Sequence, residues 1–340
     1  MKRLSLIVLC VAAALYVSAA TRVPDLGNPS IVVLANNLQN YYYNYAESDR
    51  PSYDTDEGRA AKTRKIVQMM IDSKADIFAF CEVEAKPIVL QQLVDSLNKT
   101  VGATLYATVN DGINVATDSY DNAIKSGFVY RTDRVSPYGS NYAATNVTYY
   151  KNVMRIQAWE ETATGERFTL SMNHFKAKTD AASIAKRVDN ANWLMTGLST
   201  SSKVKDPDIL IMGDFNCESD EEAYSIIVNK GYEEQLLRYD PDAYSYIYRS
   251  THELIDHAFA NSSMASQITG AAVWHTNTSA SYSSRYSDHD AVMVGLRLGK
   301  DTGTGIEAVD ATEGCVKQIR HGQLIIIRGG QAYTITGQRL

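Results

Sequence analysis

Ile209-Leu210-Ile211-Met212-Gly213-Asp214-Phe215-Asn216 is the stretch on which the fold turns. Four apolar residues in a row predict a short strand, the strand ends in glycine, and two oxygen-bearing side chains follow. Residues i and i+2 of an extended segment point to one side, so Asp214 and Asn216 converge. A plain strand-to-turn cap would use the same residue types. Outward from this stretch, similar short apolar runs recur. Ile31–Leu34, Asp76–Phe80, Lys125–Tyr130, Val153–Trp159, Phe168–Met172, Leu254–Ala260 and Ala291–Leu298 read as strands. Helical spacing appears over Gly58–Asp72, Lys86–Asn98 and Ala181–Leu198, and a helix begins at Glu221–Asn229. In the first of these, Ile66, Met69 and Met70 share one side, and Lys62, Arg64 and Lys65 are expected on the solvent side. Interleaved strands and helices predict an α/β core.

The 340 residues are 45% hydrophobic and 21% charged, which excludes disordered and low-complexity classes. A formal charge of −6 makes the chain a poor general binder of polyanions, so any nucleic-acid contact must be local. Four cysteines rule out a disulfide scaffold. Met1-Lys2-Arg3, the apolar run Leu4–Val17 and the small residues Ser18-Ala19-Ala20 form a secretory signal pattern over residues 1–20. The run is too short to span a bilayer, so the mature chain is expected to be exported, without a transmembrane segment, and monomeric. Cys81, Cys217 and Cys315 would remain, an odd number allowing at most one internal bridge. Tyr41–Glu57 reads as a surface loop with no apolar hairpin. From Asp301 a Gly/Thr linker leads to two apolar runs flanking Gly329-Gly330, which predicts an appended β-hairpin over 301–340.

The chemistry-bearing residues stand at strand ends. Glu82 follows Asp76–Cys81, and a carboxylate after so apolar a run is costly unless a cation or hydrogen bonds satisfy it. Hard divalent ions take such oxygens, which makes Mg²⁺ the natural tenant, with Mn²⁺ as a substitute; an exposed strand-end Glu is the alternative. Ser287-Asp288-His289-Asp290 precedes an apolar strand and could supply a ligand and an acid/base. Asp256 interrupts Leu254–Ala260, and a buried Asp needs a partner, for which a histidine is the obvious candidate. His174 ends the strand of Ser171-Met172-Asn173, and Asn36-Asn37 follow the first strand.

Taken in order, Asn37, Cys81-Glu82, His174-Phe175-Lys176, Gly213-Asp214-Phe215-Asn216, Ile255-Asp256-His257 and Ser287-Asp288-His289 resemble the motifs of the endonuclease/exonuclease/phosphatase superfamily. The resemblance spans about residues 30–298, with Cys81 standing where the family usually has Gln and Ile255 where it has Leu. It implies a four-layer α/β sandwich over residues 24–300 and metal-assisted hydrolysis of a phosphate ester. Under it, Glu82, Asn37 and Asp288 hold the metal. His289, oriented by Asp256, is the base, while Asp214 and Asn216 position water and a phosphoryl oxygen. His174 and Asn216 contact the phosphate, and so does Arg155 unless it is an ordinary surface residue. Lys176 and Arg187 are expected to be solvated.

Three functions compete. A secreted nuclease or phosphodiesterase on nucleic acid is preferred; a phosphatase or phospholipase on small or lipid phosphates (inositol phosphatase or sphingomyelinase-like) is the alternative. A non-catalytic binding module is third, and the complete set of acids and histidines weighs against it. The ending Thr336–Leu340 resembles the C-terminal sorting tails of secreted Bacteroidetes proteins.

Overall fold

The computed structural model describes residues 22–41, 56–110, 124–143, 154–281, 284–299, 316–320, 323–328 and 331–334. The expected signal segment, most of the Tyr41–Glu57 loop, the Gly/Thr linker, Cys315, the Gly329-Gly330 turn and the Thr336–Leu340 ending lie outside these residues. Two compact units are present, Met1–Leu298 and Gly299–Leu340.

In chain order the first unit runs β1 (Ile31–Tyr41), α1 (Asp56–Ser73), β2 (Ile77–Glu84), α2 (Pro87–Val101), β3 (Tyr106–Thr108), β4 (Ile124–Arg131), β5 (Val135–Ala143) and β6 (Met154–Glu161). It continues with β7 (Arg167–His174), α3 (Ala181–Thr200), β8 (Ile209–Asp214), α4 (Glu222–Asn229), β9 (Tyr232–Glu234), α5 (Gln235–Tyr239), β10 (Tyr246–Tyr248) and β11 (Thr251–Glu253). β12 (Asp256–Asn261), α6 (Ser262–Ala265), β13 (Ile268–Trp274) and β14 (Ala291–Leu296) complete it. Two six-stranded sheets result, ordered β13-β14-β1-β2-β4-β3 and β5-β6-β7-β8-β12-β9.

Alternation along each strand builds four layers. Val33, Ala35, Ile77, Ala79 and Val294 of the first sheet meet Leu170, Met172, Leu210, Met212 and Ala258 of the second in one core between the sheets. Trp159, fully buried, stands edge-on to Phe128 across that gap, their rings 5.6 Å apart at 83°. The opposite face of the first sheet, with Leu34, Phe78, Phe80 and Met293, is covered by Ile66 and Met70 of α1 and Leu90, Leu93 and Leu97 of α2. The opposite face of the second sheet, with Ile156, Ile211 and Phe259, is covered by Leu194 and Leu198 of α3 and Ile227 of α4. Each fully buried Leu, Ile or Phe contributes about 2 kcal/mol by leaving water. This is the α/β sandwich that the motifs imply.

The strands absent from the sequence reading are short or on an edge. β3, β9, β10 and β11 have three residues each, too few to show a period. β5 contains Pro137 and Gly139, residues that read as a turn but are tolerated on an edge strand, and β5 is an edge. β12 starts at Asp256, so Asp256 opens the strand rather than interrupting it, and Leu254 and Ile255 precede it.

The second unit is a three-stranded antiparallel sheet, β15 (Val316–Arg320), β16 (Gln323–Arg328) and β17 (Gln331–Thr334), where a hairpin was expected. The added strand pairs Val316 with Ile327 and Arg320 with Gln323. A third strand is what a lone hairpin needs to be stable in water.

Candidate active site

Strand register assembles the site. His174 at the end of β7 lies opposite Asp214 at the end of the parallel strand β8. Asp256 at the start of β12 lies opposite Asp214 from the other side. These three residues form one row across the second sheet, on the face that Met172, Met212 and Ala258 turn toward the inter-sheet core. In the first sheet Asn37 of β1 lies opposite Cys81 of the parallel strand β2. Glu82 breaks the alternation. Its φ is +53°, and the ladder slips on both sides of it, between Asn37 and Tyr41 and between Phe80 and Val83. Such a bulge re-aims a side chain, so Glu82 follows Cys81 toward the same rim.

Close approach at the rim depends on Gly213. Its φ is +133°, and a Cβ there would stand 2.1 Å from the Asn173 carbonyl oxygen. The turn after it is pinned by Asn216, at φ +50°, whose amide N–H donates to Asp214 Oδ1 (2.8 Å) and whose Nδ2 donates to the Phe175 carbonyl (3.1 Å). Backbone bonds from Phe175 to Asp214 and from Phe215 to Ile255 lock the three strand ends together.

Two clusters result. In the first, Asn37 Nδ2 donates to Glu82 Oε1 (3.0 Å) and to Asp214 Oδ2 (2.9 Å). The Asn40 N–H donates to Glu82 Oε2 (2.9 Å). His174 Nε2 lies 3.4 Å from Glu82 Oε1 and 3.8 Å from Asp214 Oδ2 and makes no hydrogen bond among the described residues. Glu82, His174 and Asp214 each offer a ligand atom within 4.8 Å of the others. In the second cluster, His289 Nδ1 donates to Asp256 Oδ2 (2.7 Å), which also accepts from Ser245 Oγ (2.7 Å). The His289 carbonyl accepts from Asn277 Nδ2 (2.7 Å), and the His289 N–H donates to Ser287 Oγ (3.1 Å). Ser287 Oγ in turn donates to the Asn37 carbonyl (2.6 Å). With Nδ1 engaged, Nε2 of His289 is directed at the rim, 3.9 Å from Asp214 Oδ2 and 4.0 Å from Asp288 Oδ1. Tyr246 covers this imidazole, ring to ring at 4.8 Å. Asp214 thus belongs to both clusters.

Burial alone would lower the His289 pKa, but the carboxylates of Asp256, Asp214 and Asp288 outweigh it and hold the imidazole well above its ordinary value. The first cluster sets two carboxylates within one ion's reach. Like charges so close are stabilised by a cation between them, and carboxylate oxygens suit Mg²⁺ or Mn²⁺. The donor set therefore fits a hard divalent ion.

Asn37, Glu82, His174, Asp214, Asn216, Asp256 and His289 are thus brought together. Glu82 is neither fully exposed nor fully buried, with 17% of its side chain accessible. Asp288, read as a metal ligand, belongs to neither group of converging ligand atoms and meets the site through His289. Arg155 is 3% exposed rather than a surface residue. It shares the inward face of β6 with Trp159 and lies opposite Met172, one side-chain layer below His174. Arg187, expected to be solvated, is 1% exposed: its guanidinium grips Glu221 (2.7 and 2.8 Å) and donates to the carbonyls of Lys176 and Lys178. It holds the chain just after His174 against α3, and helical periodicity carried no sign of that anchoring. Lys176 is half-buried. Cys81 and Cys217 are buried free thiols.

Lys62 reverses its expected position. It is 4% exposed, in line with Ile66 and Met70, and its Nζ donates to the Gln39 carbonyl (2.7 Å). Burial brings its pKa down to about 7 against the pull of Glu82 and Asp288. Ser245 and Tyr246 also lie in the site without a sequence signal, because Ser245 precedes and Tyr246 opens the three-residue β10, too short to show a period. Asn40 acts through its backbone, which composition does not reveal.

A model of the endonuclease/exonuclease/phosphatase family matches residues 37–289. Among solved structures, the chain resembles the mannosyl-6-phosphatase from Bacteroides thetaiotaomicron VPI-5482, with 18% identity and a TM-score of 0.55 over 79% of this chain and 100% of that one. The human Nocturnin catalytic domain with bound sulfate gives 16% identity and a TM-score of 0.58 over 81% and 96%. D. rerio TDP2 complexed with a single-strand DNA product gives 13% and 0.52 over 79% and 99%. At these identities the likeness is one of fold. No curated protein matches the chain.

Proposed function

The chain belongs to the endonuclease/exonuclease/phosphatase family, and on that premise we propose that it is a Mg²⁺-dependent phosphodiesterase acting on nucleic acid. The carrying observation is the meeting, at one rim, of Glu82, His174 and Asp214 with the His289–Asp256 pair. Glu82 and Asp214 would hold the ion with His174 beside it, Asn37 fixing both carboxylates and Asp288 standing at the margin. A bound divalent ion supplies neutralising charge for the phosphate and the leaving oxygen. Asp214 Oδ2 holds the attacking water within reach of His289 Nε2. The imidazole takes the water proton as the oxygen bonds to phosphorus, and Asp256 stabilises the imidazolium. The P–O ester bond then breaks, the departing alkoxide takes a proton from solvent water to leave as an alcohol, and His289 returns its proton to solvent to restore the neutral imidazole. Arg155, opposite Met172 and one side-chain layer inside His174, and Asn216, whose N–H donates to Asp214, would support the phosphate.

An aromatic ring at the rim favours a substrate with bases: Tyr246, partly exposed, flanks His289. Ring faces of this kind stack bases without sequence preference. A phosphatase on a small sugar or inositol phosphate is the second reading, favoured by the acidic chain, whose charge of −6 gives no general attraction to a polyanion. A panel of plasmid DNA, RNA, bis-p-nitrophenyl phosphate, an inositol polyphosphate, a hexose phosphate and sphingomyelin, with Mg²⁺, separates the readings. DNA, RNA or the diester should be hydrolysed. Turnover of the phosphomonoesters alone would overturn the nuclease reading.

The signal pattern of residues 1–20 supports export, and residues from about Asp301 onward are proposed as an accessory sorting or docking unit. A chain ending at Lys300 should fold and keep its hydrolytic rate; precipitation or lost activity would put the second unit in the core.

A further inference from the structure

Between Asn37 and Tyr41 the first strand leaves its ladder, and two successive non-glycine residues take left-handed backbone there, Gln39 at φ +46° and Asn40 at φ +55°. L-residues resist that conformation, so the bend persists only where surrounding bonds impose it. Three bonds do so. The Gln39 N–H donates to Asn37 Oδ1 (2.8 Å), the Asn40 N–H donates to Glu82 Oε2 (2.9 Å), and Lys62 Nζ donates to the Gln39 carbonyl (2.7 Å). The first two join residues of the candidate metal centre to the bend itself. The second ties the bend to β2 and the third to α1. Lys62 occupies the head of the apolar stripe that continues through Ile66 and Met70, where Leu or Met would be buried at far lower cost. Its ammonium there neighbours two acids of the site, Glu82 and Asp288, as well as Lys65 on its own helix.

We propose that Lys62 is a positioning residue for the metal centre, holding the Gln39–Asn40 bend so that the Asn40 amide and the Asn37 side chain present Glu82 in its ligating orientation. The inference rests on the reading of Glu82 as a metal ligand. Lys62 touches neither substrate nor ion; it acts through the Gln39 carbonyl. Loss of such outer support weakens metal binding by roughly 10- to 100-fold.

The test is direct Mn²⁺ titration of the full chain, followed by electron paramagnetic resonance of the free ion, together with kcat at saturating Mn²⁺. Lys62→Met should raise the Mn²⁺ dissociation constant about tenfold while kcat at saturation falls by less than about threefold. Adding Asn40→Gly, which takes a left-handed φ without strain and keeps the N–H, should recover at least about threefold of the lost affinity in the double variant. If Lys62→Met does not fold in EDTA by circular dichroism, the same measurements are made on Lys62→Gln. Unchanged Mn²⁺ affinity in a folded variant, or no recovery on adding Asn40→Gly, overturns the proposal and leaves Lys62 a packing residue. A wild-type chain that binds no Mn²⁺ overturns the metal reading and the inference with it.

Discussion

The two halves of the candidate site are built on opposite principles. In the Glu82–His174–Asp214 half, ligand atoms crowd within 4.8 Å, two of the groups are acids, and His174 Nε2 makes no hydrogen bond among the described residues. In the His289–Asp256 half, the imidazole Nδ1, the Asp256 carboxylate and the Ser287 hydroxyl form a linked chain of bonds between 2.6 and 3.1 Å. The first half is suited to a cation, because like charges at that spacing repel. The second is complete within the protein, because a buried carboxylate beside an imidazole satisfies both. The contrast teaches that the proposed metal centre and the proposed base are separable parts joined by Asp214.

That separation can be broken or sharpened by four measurements, taken from the largest expected effect down. Chelation should abolish hydrolysis, and Glu82→Gln should lower kcat/KM by ~10³ or more while leaving the His289 limb of the pH profile in place. Full turnover in excess EDTA would end the comparison. Next, His289→Ala should lower kcat by ~10² or more, the worth of a positioned base, yet bind Mn²⁺ like the wild type. A parallel loss of metal affinity would show that the halves are one.

Asp256→Asn comes third. His289 must be neutral to accept the proton, so the rate rises with pH through its raised pKa. Burial opposes that rise in pKa and Asp256 is the leading group that produces it. Removing the carboxylate charge should therefore move the limb to lower pH while kcat falls by ~10-fold or more. An unmoved limb would dissolve the pair. The smallest effect is expected from Ser245→Ala, which deletes one hydrogen bond to Asp256, about 1 kcal/mol. The rate should fall less than about tenfold. The limb should stay or move slightly upward, opposite to Asp256→Asn, because Ser245 draws the Asp256 pKa down. A downward shift would show that Ser245 does not act through the carboxylate.

The second sheet's half of the site was legible residue by residue. Asp214 and Asn216 follow an apolar run and a glycine, His174 ends another run, and Asp256 stands at the head of a third. Strand period sets His174, Asp214 and Asp256 on the inward face, and the parallel and antiparallel registers then align them; Asn216 lies beyond β8 at φ +50° and is placed by the turn, not by the extended period expected for it. The first sheet's half was legible as residue types but not as geometry. Strand alternation sends Glu82 away from Cys81's side, and only the bulge at φ +53° brings it to the rim.

What the sequence by itself determined, beyond the sandwich that only the family resemblance implied, is therefore the α/β core, the ordered motifs from Asn37 to His289, and the types of side chain they bring. Those features are written in local hydrophobic period and in residue chemistry, which need no knowledge of what packs where. The tertiary structure alone decided that Lys62 lies buried beneath a strand bend, that Arg187 clamps Glu221, and that His174 joins the two carboxylates. It also decided that a third strand completes the C-terminal sheet. For the three side chains the deciding partner is far along the chain, 23 residues from Lys62 to Gln39, 34 from Arg187 to Glu221 and 92 from His174 to Glu82. A charged side chain's place depends on such a partner, because burial is tolerated only where the fold supplies a compensating bond.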